Sequence, residues 1–151
     1  MTTTKLIDTT WHADEKLIIT NISGNVDQDD IEYWDQSLQQ TLAQLEDNST
    51  FKIFVNLHGF KANNFNAHKR FRTVVPTTLA NYGWRVGYLA LFEEANNLDI
   101  TQTRGIRCTA AVHVHQDETK IDLYEKSFGG EREHFFTDPV KAEQWIRSIE
   151  A

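Results

Sequence analysis

The chain has 151 residues, of which 40% are hydrophobic, 25% are charged and two are proline, with a formal net charge of −7. That length predicts one domain over 1–151, and the composition excludes a disordered or collagen-like chain. No apolar run approaches the roughly 18 residues of a membrane span. The acidic balance argues against nucleic-acid binding, which needs surplus cations to displace counterions.

One cysteine, Cys108, excludes an internal disulfide framework and a cysteine-based zinc cluster. Met1 to Lys5 lack the basic-then-apolar pattern of a secretory leader, so a cytoplasmic protein with no integral membrane contact is expected.

Lys5 to Asp8 and Lys16 to Ile22 read as two strands around the polar turn His12 to Glu15, an antiparallel hairpin. Ser23-Gly24-Asn25 ends the second strand. Asp27 then supplies a helix cap, and Asp30, three residues on, can reach back to it. Val26 and Ile31 have the spacing of a hydrophobic staple. Ile31, Trp34, Leu38, Leu42 and Leu45 form one apolar stripe, so the helix is expected to run to about Glu46.

Phe51 to Leu57 is β-branched, aromatic and mostly apolar, the pattern of a strand buried on both faces. A second helix is predicted over Asn64 to Tyr82, with Pro76 expected to break or kink it and Gly83 to end it. Trp84 to Phe92 reads as another apolar strand, followed by a polar connection over Glu93 to Arg104.

Gly105 to His115 alternates. Ile106, Cys108, Ala110, Val112 and Val114 fall on one side, and Arg107, Thr109, Ala111, His113 and His115 on the other. A strand is expected there, with a helix as the alternative. Asp117 can cap a third helix that carries Ile121, Tyr124 and Phe128 and closes at Gly129-Gly130. Glu133 to Phe136 is a short strand. Asp138-Pro139 opens a last helix with Ala142, Trp145, Ile146 and Ile149 on its apolar face. The fold class is therefore α/β: a single mixed β-sheet with an N-terminal antiparallel hairpin, packed by about four helices.

The hairpin, the capped helix after Gly24, the strand Phe51 to Leu57 and the helix beyond it resemble the STAS/SpoIIAA-like family. The closing run Glu-His-Phe-Phe-Thr-Asp-Pro-Val-Lys-Ala-Glu-Gln-Trp-Ile resembles that family's final strand, turn and helix, with Ala142 and Trp145 in the expected places. The resemblance covers most of Lys16 to Ile149. It implies a regulatory or ligand-binding module, since members are similar to anti-sigma-factor antagonists and to CRAL-TRIO-like lipid-binding modules. The antagonists carry a phosphorylatable Ser in the loop entering the second helix. Leu57 to Asn64 contains no Ser or Thr, so no phospho-switch is carried over.

Charge adds a second clue. No acidic residue lies between Asp47 and Glu93, a stretch holding Lys52, Lys61, Lys69, Arg70, Arg72 and Arg85, and the rest of the chain sums to −13. Such asymmetry predicts a face toward an anion or an acidic partner. In open α/β sheets ligands bind beyond the carboxyl ends of parallel strands, and a helix N-terminus there favours anions. The loop after Phe51 to Leu57 meets both conditions. The expected binding residues are His58, Lys61, Asn63, Asn64, His68, Lys69, Arg70 and Arg72, with the plainer reading that the asparagines merely cap the helix.

No G-x-S-x-G turn, dinucleotide fingerprint or phosphate-binding loop appears. Cys108 is expected as a buried small hydrophobe. His113 and His115 share a strand face and could hold Zn²⁺ given a third ligand. The expectation is a non-enzymatic module without cofactor, engaging an acidic protein or a small anionic or lipid ligand. The alternative is a small metal-assisted hydrolase using His113 and His115. The hairpin edge also admits pairing with a second copy, a homodimer.

Overall fold

The computed structural model describes residues 5–86 and 99–149. Its strands are β1 (Leu6–His12), β2 (Leu17–Val26), β3 (Thr50–Asn56), β4 (Phe60–Ala62), β5 (Arg107–Val114) and β6 (Glu133–Phe136). Its helices are α1 (Gln28–Leu42), α2 (Phe65–Ala80), α3 (Glu118–Phe128) and α4 (Pro139–Ser148). The sheet order is β1-β2-β3-β5-β6, with β4 paired to the end of β2. The β1–β2 pair is antiparallel and the other pairings are parallel. The mixed α/β sheet with an N-terminal hairpin and four helices is the architecture the sequence predicts.

The caps form as read. Asp27 accepts from the Asp30 N–H at 2.9 Å while Asp30 accepts from the Asp27 N–H at 3.0 Å, a reciprocal capping box. Asn64, Asp117 and Asp138 cap the other three helices. α1 ends earlier than predicted, at Leu42, with Leu45 still buried in the turn that follows.

Strand β3 is buried on both faces. Phe51, Ile53 and Val55 join the core under α1 and α2, where Ile31, Trp34, Leu38, Val75 and Leu79 also sit. Phe54 joins a second cluster with Leu17, Val112, Ala142 and Ile146 from α4. The fully buried Trp34 donates its indole N–H to Thr20 Oγ1 at 2.7 Å. Thr20 lies 2.8 Å from Thr9 Oγ1, and Thr9 lies 2.8 Å from Ser37 Oγ. This hydroxyl chain satisfies the indole N–H that α1 drives into the core.

Lys52 is the exception in the apolar strand. It is 2% exposed, and its ammonium donates to the Ile146 and Ile149 carbonyls at 2.7 and 2.6 Å. Those carbonyls lie at the end of α4, where the Ile146 carbonyl otherwise accepts only the long 3.4 Å bond from the Ile149 N–H. Burial pulls the Lys52 pKa below its ordinary value, with Glu15 opposing that shift.

Two expectations are corrected. Pro76 neither breaks nor ends α2, which continues to Ala80. Pro76 supplies no N–H to the Arg72 carbonyl, but Val75, Pro76, Leu79 and Ala80 are all buried, and packing outweighs the missing bond. The predicted single apolar side of Gly105 to His115 is split. Phe51 pairs with Cys108 but Lys52 pairs with Ala110, so a bulge at Thr109 flips the alternation. Cys108 and Ala111 therefore face α1 and α2, whereas Ala110, Val112 and Val114 face α4. Of the predicted strand Trp84 to Phe92, the first three residues are irregular and the remainder lies outside the described residues. The connection over Glu93 to Arg104 is likewise described only from Asp99, and is exposed from there to Arg104.

Replacing Thr20 by Val removes the Trp34 acceptor at nearly constant volume. Thermal unfolding should show a loss of about 1–3 kcal/mol, the cost of a buried unpaired donor, read as roughly 2–4 °C in Tm per kcal/mol for a chain of this size. Lys52→Met keeps the aliphatic stem and leaves the α4 carbonyls without their donor. Urea unfolding should show a loss of about 1–3 kcal/mol, with Lys61→Met, at an exposed site, close to neutral.

Candidate functional site

Three parallel strands end at one edge of the sheet, and the side chains there enclose a cavity of about 260 Å³. The exit of β3 contributes Leu57 and Phe60. From α2 come His68, Phe71, Arg72, Val75 and Pro76. The end of β5 gives His113, Val114 and His115, α3 gives Lys120, Ile121 and Tyr124, and β6 gives Phe135. The floor is aromatic: Phe60 stacks on Phe71 with centroids 4.1 Å apart, and Phe135 stacks on His113 at 4.8 Å.

The charged side chains of the lining are of one sign. Two cations, Arg72 and Lys120, and three imidazoles line the cavity, and no carboxylate does so among the described residues. His115 Nδ1 accepts from the Asp117 backbone N–H at 3.0 Å, which places the ring proton on Nε2. Burial, then the nearby Lys120, lowers the His115 pKa, with Asp117 pulling the other way and His58 and His68 adding to the decrease. The His68 pKa is lowered by burial first and then by Lys120 and Arg72. Both rings are thus neutral near pH 7. Burial raises the Tyr124 pKa, against the pull of Arg72, so its phenol keeps its proton.

His113 is held differently. Its Nε2 lies 2.9 Å from Glu133 Oε2 and both side chains are buried. Trp84 Nε1 also approaches that oxygen, at 3.5 Å. His113 and His115 do line one cavity, as residues two apart on a strand should. However, a carboxylate engages His113 Nε2 and a backbone amide engages His115 Nδ1. Among the described residues no group of three His, Cys, Asp or Glu is placed to hold a metal ion. Cys108 is buried, and that burial pushes its thiol pKa far up, as for an inert apolar side chain.

Of the eight residues that the sequence nominates, His68 and Arg72 line the cavity, joined by His113 and His115 from the alternative. His58, Lys61, Asn63 and Lys69 are exposed outside it, and Asn64 spends its side chain on the Ala67 N–H. Arg70 turns to α1, paired with Glu32 and, at 2.9 Å, with Asp35. With Lys52 buried against α4, the acid-free stretch does not form one cationic face: the flanking carboxylates of α1 neutralise part of it.

The sequence reading missed Lys120, Tyr124 and Phe135. The rule applied to the end of β3 also applies to the end of β5, where Asp117 starts α3. The first turns of α3 then bring Lys120, Ile121 and Tyr124 over the same strand ends.

The loop between β3 and α2 is a fixed wall. Gln116 accepts from the Gly59 N–H at 2.9 Å and donates to the Phe60 carbonyl at 2.8 Å. Gly59 has φ +90°, a conformation costly for any residue with a side chain, and its carbonyl accepts from the Gly24 N–H at 2.9 Å.

No protein-family model and no curated protein matches the chain. Among solved structures it is similar to an uncharacterized protein of the DUF3478 family from Shewanella loihica PV-4, with a SpoIIAA-like fold. Sequence identity is 13% and the TM-score 0.53, over 97% of this chain and 98% of that one. At that identity the likeness speaks for architecture alone: the fold of this chain is SpoIIAA-like.

Proposed function

We propose that the protein is a non-enzymatic binding module whose ligand is a small amphiphilic anion, seated in the cavity at the ends of β3, β5 and β6. One observation carries this reading. In a chain of net charge −7, the concave surface at the sheet edge is apolar and its charged lining residues are Arg72 and Lys120. An apolar body fills such a hollow, and an oxyanion meets cations in a setting of reduced dielectric. An acidic protein partner is less well supported. Lys52 and Arg70 are committed inside the fold, which leaves the exposed Lys61, Lys69 and Arg85 for such a surface. No helix among the described residues is long and apolar enough to cross a membrane.

Calorimetric titration with octanoate, octylamine and octanol tests the reading. Octanoate should bind at least tenfold more tightly than either comparator, and Lys120→Glu should remove that advantage. Equal binding of the amine and the acid would overturn it.

The imidazoles set a pH dependence. His68 and His115 titrate below their ordinary value of 6.5, so they are neutral at pH 8, and an anion placed beside them favours the protonated ring. Ligand binding therefore takes up protons, and octanoate affinity should rise as the pH falls from 8 toward 6. The charged groups that face these rings are Lys120 and Asp117 at the start of α3 and Arg72 on α2, with the His58 imidazole also near His115. His115→Gln with His68→Gln should flatten the profile, measured at constant ionic strength.

A further inference from the structure

The cavity has a size and a wall chemistry that narrow the ligand further. At about 260 Å³ it falls below the roughly 300–1,000 Å³ of pockets that hold drug-sized molecules. A pocket of that size suits a small ligand better than a whole phospholipid.

The cavity is ring-lined from two parts of the fold. On the β4–α2 side Phe60 and Phe71 stack at 4.1 Å. On the α3–β6 side Tyr124 meets Phe135 edge-on at 5.7 Å, and His113 stacks on Phe135 at 4.8 Å. Ring-to-ring contacts add to simple area burial through the quadrupoles of the π-systems. A flexible alkyl chain gains nothing from that term and loses rotamer freedom when fixed.

We infer that the ligand is an aryl acid, one small planar ring system bearing a single carboxylate or phosphate. The ring sits between the Phe60–Phe71 and Tyr124–Phe135 walls, and the oxyanion lies toward Lys120, His115 and Arg72. This rests on the anion-binding reading of the same cavity. Carboxylate and phosphate share the charge and the acceptor geometry, and the test separates them.

The test compares pairs with equal numbers of non-hydrogen atoms and equal charge type: phenylacetate against octanoate, and phenyl phosphate against hexyl phosphate. Octanoate is the more apolar of the first pair, so area burial alone favours it. An advantage for phenylacetate must therefore come from the rings. In each pair the aryl member should bind roughly two- to tenfold more tightly, and the tighter of phenylacetate and phenyl phosphate names the head group. Proton NMR of bound phenylacetate should show ring protons displaced upfield by the flanking aromatics. Tyr124→Leu should cut the affinity for phenylacetate severalfold more than that for octanoate, with circular dichroism to confirm that the variant folds. The NMR displacement on the unaltered protein decides the matter if it does not.

Octanoate binding more tightly than phenylacetate, or affinity that climbs steadily from octanoate to palmitate, would overturn the aryl assignment and leave the anion site standing. Failure of all four probes to bind would overturn both.

Discussion

A single extra residue in β5 decides what the sheet edge presents. Phe51 pairs with Cys108 and Lys52 with Ala110, leaving Thr109 without a partner of its own across the ladder. A strand of period two that gains one residue exchanges its faces beyond that point. Cys108, before the bulge, packs toward α1 and α2, and so does Ala111, after it. His113 follows Ala111 onto that face, which brings its ring to Phe135 and into the cavity. Without the bulge, Val112 and Val114 would occupy that side and His113 would be pressed against Ala142 and Ile146 of α4. The bulge thus keeps the β5 side chains that meet α4 apolar and moves the polar ring of β5 to the face that has a carboxylate, Glu133, ready for it.

The charges follow the same logic of placement. A chain with seven excess negative charges could hold its cations at random on the surface. Here several are committed. Lys52 closes the end of α4, Arg70 ties α2 to α1, and Arg104 ties the residues before β5 to Asp47 and to carbonyls after α1. His134 and the Phe135 amide both bind Glu125, which fixes α3 against β6. Arg72 and Lys120 are the charged residues that line the hollow at the strand ends among the described residues.

The local grammar of the sequence was readable because it is local. Asp27 with Asp30, Asn64, Asp117 and Asp138 each act on amides two or three residues away, and the apolar run of β3 needs no partner to be recognised. What the sequence concealed depends on distant residues. The bulge at Thr109 is visible only against β3, because the alternation from Ile106 to Val114 is unbroken in the chain itself. Lys52 reads as a solvent-facing charge until α4, nearly a hundred residues later, supplies its acceptors. Pro76 reads as a break until the burial of its neighbours is known. The candidate site was half legible for the same reason. The strand-end rule located it beside α2, but the contribution of α3 required knowing that β5 lies next to β3.

The loop that enters α2 shows how this chain differs in kind from a hydroxyl-switched module of similar architecture. A switch there needs an acceptor side chain and a backbone free to rearrange. Leu57 to Asn64 has no hydroxyl, and its backbone is consumed: the Asn56 side chain holds the His58 amide, Gln116 holds Gly59 and Phe60, and Val26 holds Asn63. Breaking those bonds would also release β4 from β2 and remove Phe60 from its stack on Phe71. The segment is therefore built as a wall of the cavity.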